Sequence, residues 1–76
     1  MTESVRDEVA VLEAELGWRH RGQIQGFRLT IRNGVLIING VAISFHALQL
    51  VLRNILAARV ATVVHNQITV RTGHTN

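Results

Sequence analysis

The stretch that decides the fold is residues 27–41, FRLTIRNGVLIINGV, which has the pattern of a β-hairpin. Asn33-Gly34 at its centre fits a two-residue type I′ turn, because both turn positions need a positive φ that Asn and Gly adopt most easily. Such a turn also fixes which residues face each other across the hairpin. The predicted cross-strand pairs are Arg32 with Val35, Ile31 with Leu36, Leu29 with Ile38, and Phe27 with Gly40.

This register gives the hairpin two unlike faces, because side chains alternate along a strand. A shift of one residue would mix the two sets, so the pattern itself supports the register. We expect the first face to contact the core and the second to be open. The core-facing set is Phe27, Leu29, Ile31, Leu36 and Ile38. The open set is Arg28, Thr30, Arg32, Val35, Ile37 and Asn39.

A first helix is predicted before the hairpin, over about residues 4–16. Its apolar stripe has helical spacing and consists of Val5, Val9, Leu12 and Leu16. Ser4 is the expected N-cap, and Gly17 is expected to end the helix in the left-handed conformation. Residues 17–26 then form the main loop.

A second helix and a third strand are predicted after the hairpin. Ser44 is the expected N-cap of a helix over about 45–59. Polar and apolar residues alternate over about 63–71, which predicts a strand. Asn66 falls on the apolar face of that strand, where we expect it to satisfy a backbone group. Nothing in residues 72–76 predicts order.

These elements predict one α+β domain spanning residues 1–76, ordered over about 4–71. The order is α-β-β-α-β, with a three-stranded mixed sheet and two helices packed on one of its faces. A right-handed crossover through the second helix sets the last strand parallel to the second. The pattern leaves open whether the last strand lies beside the first or the second strand of the hairpin.

Charge is strongly segregated along the chain. The first fifteen residues contain all five acids and one arginine, whereas residues 16–76 contain seven arginines and no acid. A cationic body favours anionic partners such as phospholipid headgroups or nucleic acid. Equally, the acidic helix can neutralise the body of the domain or of a neighbouring copy. The acids are Glu3, Asp7, Glu8, Glu13 and Glu15.

The composition argues against several function classes. There is no cysteine, so the chain has neither disulfide nor thiolate chemistry. No Ser-His-acid set or paired carboxylates occur at suitable positions, so we expect no catalysis and no cofactor. The histidines share no short spacing, which predicts single surface histidines rather than a metal site. They are His20, His46, His65 and His74.

The sequence shows no convincing membrane-targeting segment. The acidic N-terminus does not resemble a secretory signal. Residues 33–52 lack formal charge, but polar residues and glycines interrupt them, which favours a strand followed by a helix over a membrane span. The compartment stays open: cytoplasmic by default, or periplasmic and envelope-associated if the chain is part of a longer exported protein.

The chain resembles the BON domain, a small α-β-β-α-β module of bacterial envelope proteins. Residues 33–40, NGVLIING, resemble the family's Gly-x-Val-x-Leu-x-Gly run, and Ser44 fits its helix start. Residues 64–70, VHNQITV, resemble its closing Val-x-Asn/Asp-x-Leu-x-Val strand. The resemblance covers about residues 5–70. It implies a non-catalytic binding module associated with phospholipid membranes, envelope integrity and the attachment of other domains.

The chain departs from the family pattern at Val60-Ala61, where the family usually has Gly-Val. The larger residue predicts either a longer second helix or a shifted last strand. The family shares no set of functional residues that can be carried over, so candidate sites are argued from this sequence.

Two sets of residues are candidates for binding an anionic headgroup. The first lies on the open face of the sheet, where arginines and a histidine could bind phosphate with help from Thr30, Gln67 and Thr69. The alternative is an ordinary solvated face. The second surrounds the only tryptophan, which prefers the headgroup level of a membrane; alternatively, Trp18 folds back over the core. The candidates are Arg28, Arg32, His65 and Arg71, then Trp18, Arg19 and Arg21.

Exposed apolar residues predict a different function, in which the protein binds itself or another domain. Apolar side chains on an otherwise polar face suggest a covered surface. The candidate contact residues are Val35, Ile37, Val41 and Leu50. Nucleic acid is the less favoured partner, because the open face has no aromatic side chain for base stacking and the chain has no Gly-x-x-Gly motif. An anionic membrane surface is therefore the leading expectation.

Overall fold

The computed structural model describes the backbone of residues 2–71 and the side chains of residues 5–71. Its elements follow one another in the predicted α-β-β-α-β order, which confirms the α+β class. The expectation for residues 72–76 falls outside the described residues. The five elements are α1 (Thr2–Arg19), β1 (Ile24–Arg32), β2 (Val35–Ala42), α2 (Phe45–Ala58) and β3 (Val63–Val70).

The three strands form one mixed sheet with β2 in the centre. β1 pairs with β2 antiparallel, and β3 pairs with β2 parallel. The last strand therefore lies beside the second strand of the hairpin, a choice that the sequence left open. The hairpin turn has positive φ at both Asn33 and Gly34, as a type I′ turn requires. The predicted pairs are confirmed from Arg32 with Val35 as far as Leu29 with Ile38.

The predicted pairing of Phe27 with Gly40 is wrong. The ladder is interrupted between Gln25 and Arg28, and Gly26 takes a positive φ of 64° there, as in a β-bulge. A side chain at Gly40 would be crowded, because a Cβ would lie 3.1 Å from side-chain carbons of Ile24. Phe27 is nevertheless half-buried and packs against the core, as its pattern predicted.

The first helix is longer at both ends than predicted. It begins at Thr2, so Ser4 lies within the helix and is not the N-cap. It also continues through Gly17 to Arg19, so Gly17 does not end it and the loop before β1 is confined to residues 20–23. The backbone N–H of His20 still donates to the carbonyl of Leu16 at 2.9 Å, which extends the helical bonding past the glycine.

A buried histidine joins the end of α1 to α2. His20 is only 6% exposed, so the prediction of single surface histidines is wrong here. Its Nδ1 lies 3.1 Å from Oε1 of Gln23, and Nδ2 of Asn54 lies 3.0 Å from its Nε2. Since the Asn54 amide donates to Nε2, the ring proton is on Nδ1 and donates to Gln23.

The second helix begins and ends close to the predicted positions. Ser44 has extended backbone angles, and its Oγ accepts from the N–H of Ala47 at 3.1 Å, which confirms it as the N-cap. Arg59 ends the helix in the left-handed conformation, with φ at 53°. The Val60-Ala61 departure therefore does not lengthen the helix, because the preceding arginine takes the left-handed angles.

The core lies between the sheet and the two helices. Its most completely buried side chains are Leu36 and Ile38 of β2 and Val51 and Ile55 of α2. α1 packs mainly on β1, whereas α2 packs on β2 and β3. Both helices therefore cover the same face of the sheet and leave its other face open.

Side chains satisfy backbone groups on both strands that flank β2. Glu13 of α1 accepts from the N–H of Leu29 in β1 at 2.8 Å. Hydrogen-bonded and non-hydrogen-bonded pairs alternate along an antiparallel ladder, and the pair next to the turn is hydrogen-bonded. Leu29 and Ile38 therefore form a non-hydrogen-bonded pair, so the N–H of Leu29 points away from β2. In β3, Oδ1 of Asn66 accepts from the N–H of Ile68 at 3.0 Å. The expectation that Asn66 satisfies a backbone group is confirmed.

Residues 33–52 do not form one continuous helix. They contain the hairpin turn, β2 and the first half of α2, as the interrupted pattern predicted. Over the part of the chain that the structure describes, neither helix combines the length and the apolar character needed to cross a bilayer.

Candidate functional site

The open face of the sheet is built from four rows of side chains that run across the three strands. The register of both ladders aligns them, since partners in adjacent strands point to the same side. From the turn outward, the rows are Arg32, Val35 and Val63; then Thr30, Ile37 and His65; then Arg28, Asn39 and Gln67; and finally Gln25, Val41 and Thr69.

The cationic candidates on this face are spread along it and do not converge on one point. Arg32 lies in the first row and Arg28 in the third, four residues or about 13 Å apart along β1. Arg71 follows the last row, and its N–H donates to the carbonyl of Ala42 at 2.7 Å. All three arginines and His65 are exposed. The arrangement is a cationic surface for a broad anionic partner, without the geometry of a pocket for one phosphate.

No acidic side chain of residues 5–71 lies on this open face, because every acid in that range belongs to α1. α1 packs against the opposite side of the sheet through Val9, Leu12 and Leu16. Glu13 reaches the strands from α1, where it accepts a hydrogen bond at the outer edge of β1. The charge segregation seen in the sequence therefore becomes a separation in space.

Apolar side chains run along the middle of the same face. Val35 and Ile37 are half-buried and Val41 is more exposed. Val63, which sequence reasoning missed, adds a fourth at 55% exposure. Its position in the alternation of β3, two residues before His65, was the signal that could have placed it on this face.

The second candidate set lies at the end of α1 and in the following turn. Trp18 is 70% exposed, so it does not fold back over the core. The guanidinium carbon of Arg21 lies 4.4 Å from the centre of its ring, within cation–π distance. Arg19 contacts Glu15 at 3.3 Å. Because α1 packs on the other face of the sheet, the structure does not bring this set together with Arg28 and Arg32.

The exposed apolar surface of α2 does not lie at Leu50, where the sequence predicted it. Leu50 is half-buried, whereas Phe45 and Leu56 are the strongly exposed apolar residues of this helix. The strongly exposed apolar residues of α2 thus lie toward its two ends, with Leu50 between them in the sequence.

An open groove of about 1130 Å³ lies on the helix side of the sheet, near the hairpin turn. Apolar residues of α1, β1 and the loop before β3 line it, together with Arg6 and Arg59. Sequence reasoning missed this groove because it depends on how α1 lies relative to the end of α2. Its lining offers cations and apolar surface but no acid.

Among the side chains of residues 5–71, no three acids or histidines come close enough to share a metal ion. His20 is engaged by Gln23 and Asn54, while His46 and His65 are exposed on different elements. His74 lies outside the described residues.

Comparison of this chain with protein-family models, with curated proteins and with solved structures finds no match.

Proposed function

We propose that this protein is a non-catalytic module that associates with anionic phospholipid surfaces through the open face of its sheet. The observation that carries the proposal is the alignment of Arg28, Arg32, His65 and Arg71 on a face without a described acid. A broad surface of one sign is attracted to a broad surface of the other. The resemblance of residues 33–40 and 64–70 to the BON domain supports the same function.

The expected affinity is modest. Each arginine near an anionic membrane contributes about 1 kcal/mol, so three arginines contribute about 3 kcal/mol before the apolar side chains are counted. Val35, Ile37 and Val41 lie between the cations and can contact the boundary between headgroups and acyl chains. Binding of this kind weakens as ionic strength rises, because salt screens charges at the surface.

The proposal is tested by co-sedimentation with phosphatidylcholine vesicles, with and without phosphatidylglycerol. We expect binding only to the anionic vesicles, with a decline as salt is added. The double variant Arg28→Gln/Arg32→Gln should lose most of this binding. Equal binding to both kinds of vesicle, or to neither, would contradict the proposal.

The matched control is Arg53→Gln/Arg59→Gln, which removes the same charge from exposed positions on the helix side. It should bind nearly as well as the unchanged protein. If both double variants lose binding equally, attraction depends on net charge alone and the open face is not the site.

The apolar strip of the open face supports a second candidate function, self-association through that face. Val35, Ile37, Val41 and Val63 form a nearly continuous strip there. Ile37→Lys separates the two functions. It should break an assembly that buries this strip, yet retain or strengthen binding to anionic vesicles. Competition by an oligonucleotide in the vesicle assay would instead indicate the less favoured nucleic-acid partner.

A further inference from the structure

The outer side of α1 carries three apolar residues, in line with Asp7, that the core does not use. Asp7, Val11, Ala14 and Trp18 are spaced by four, three and four residues, so they lie on one side of the helix. We call these four residues the outer seam. At 3.6 residues per turn they lie opposite the stripe of Val9, Leu12 and Leu16 that contacts the sheet.

The seam is exposed along its length. Val11 is 64% and Trp18 is 70% exposed, and Asp7 and Ala14 are exposed as well. Alternate spacing of three and four residues is the pattern by which one helix packs along another. A helix with apolar side chains on two opposite sides has surface left to bury after it has packed on its own sheet.

The charges along α1 specify the direction of a partner helix. Asp7 and Glu8 lie in its first half, and Arg21 follows its end with the guanidinium stacked on Trp18. A parallel copy would place like charges beside each other. An antiparallel copy places Arg21 of each chain near Asp7 of the other, so both ends of the contact carry opposite charges.

We propose that two copies of this protein pair through the outer seams of their α1 helices, antiparallel and related by a two-fold axis. The axis passes between Val11 and Ala14, and each Val11 packs on Ala14 of the second copy. The small alanine allows the two helices to approach closely. Trp18 covers each end of the contact, and Arg21 beside it meets Asp7 of the second copy. Such a contact is isologous and closes at two subunits.

A second copy fits the seam better than a lipid surface does. Glu8 and Glu15 are exposed on one flank of the seam and would repel anionic headgroups. In the antiparallel pair Glu8 also lies near Glu15 of the second copy, but Arg19, which contacts Glu15, offsets that like-charge contact. Asp7 at one end of the seam and Arg21 beside its other end match the opposite charges of a second copy that runs in the reverse direction. Because the seam faces away from the core, the pairing leaves the open face of the sheet free.

The pairing is expected to be weak. The span from Asp7 to Trp18 covers about 17 Å of helix, which buries less surface than a stable standard-sized interface. Sedimentation velocity over a wide concentration series should therefore show a monomer at low concentration and a dimer at high concentration. A monomer at every concentration up to the solubility limit would overturn the proposal.

An apolar-to-acid substitution in the seam tests its location. Val11→Asp should abolish the dimer, and circular dichroism should show an unchanged fold because Val11 is exposed. The matched control is Leu56→Asp, which changes a similarly exposed apolar residue of α2 and should dimerise normally. Ile37→Lys should also dimerise normally. A dimer that survives Val11→Asp, or that Leu56→Asp or Ile37→Lys disrupts equally, would contradict the seam.

Charge exchange tests the antiparallel direction. Asp7→Arg alone and Arg21→Asp alone each create two like-charge contacts per dimer, so each should weaken association about tenfold. An equimolar mixture of the two variants forms a mixed dimer in which every such contact is again between opposite charges. Recovery of association in the mixture supports the arrangement, and a mixture as weak as its components would refute it.

Discussion

The open face of the sheet and the outer seam of α1 are both exposed and partly apolar, yet their charges are arranged differently. The open face holds arginines without a described acid, whereas the seam begins at Asp7 and ends beside Arg21. A surface of one sign attracts an extended surface of opposite sign. A surface with separated opposite signs complements its own reverse. Charge order therefore distinguishes two apolar surfaces that exposure alone would not.

The two surfaces also differ in how they are held. The rows of the open face are aligned by the ladders of hydrogen bonds between the strands. The seam depends on the position of one helix, which side-chain contacts help to hold at Glu13 and at His20. Substitutions at those contacts should thus affect pairing through α1 and spare the open face.

The largest effect is expected from Leu36→Ala. This substitution should destabilise the whole fold and so weaken binding through both surfaces. Leu36 is completely buried in the core between the sheet and the two helices. Its truncation should lower the free energy of unfolding by about 2–5 kcal/mol through lost burial and a residual cavity. Urea unfolding measures this change. Leu56→Ala, at an exposed position, should change it by less than about 0.5 kcal/mol.

A smaller effect is expected from His20→Ala, which should separate the two surfaces. The substitution leaves Gln23 and Asn54 without their buried partner, at a cost of about 1–3 kcal/mol in the free energy of unfolding. Dimerisation should weaken, while vesicle binding by the folded protein persists. His46→Ala, at an exposed histidine, is the control for stability. Loss of vesicle binding in parallel with dimerisation would show that the surfaces are not independent.

Glu13→Ala should act on the same helix at its other contact. It leaves the N–H of Leu29 without its carboxylate acceptor, which should lower the free energy of unfolding by about 1–2 kcal/mol. Glu13→Gln keeps an acceptor oxygen and should lose less. Thermal unfolding of the three proteins gives the order. Equal losses in the two variants would mean that the charge, and not the hydrogen bond, holds α1 to β1.

The smallest effect is expected from Glu15→Gln. Its ion pair with Arg19 is more than half exposed on both sides, and such pairs contribute less than about 0.5 kcal/mol to stability. If the open face alone binds lipid, vesicle binding should also change little. A large gain in binding to anionic vesicles would show that the end of α1 approaches the membrane and would blur the distinction between the two surfaces.

The hairpin and the start of α2 were predictable because short-range chemistry decides them. Asn33-Gly34 accommodates the positive φ angles of the turn, and the alternation that follows selects the register. Ser44 has an oxygen at the spacing that an N-cap needs. The same alternation predicts which residues lie on the open face, and Arg28, Arg32 and His65 do lie there.

Other features could not be predicted, because their causes are distant in the sequence. His20 is buried by Asn54, which is 34 residues away, so no local pattern marks it. The ladder breaks between Gln25 and Arg28, opposite Gly40 on the neighbouring strand, and Gly26 takes a positive φ there. Each is decided by a contact that exists only after folding.

The amino-acid sequence by itself determined the order of elements, the hairpin register next to the turn and the division of the chain into an acidic helix and a cationic body, since these depend on neighbouring residues. Only the tertiary structure decided which edge β3 joins, that Trp18 stays outside the core, and that the acids of residues 5–71 lie away from the open face. Those outcomes depend on how the helices and strands pack on one another, because the local sequence pattern is compatible with more than one packing arrangement.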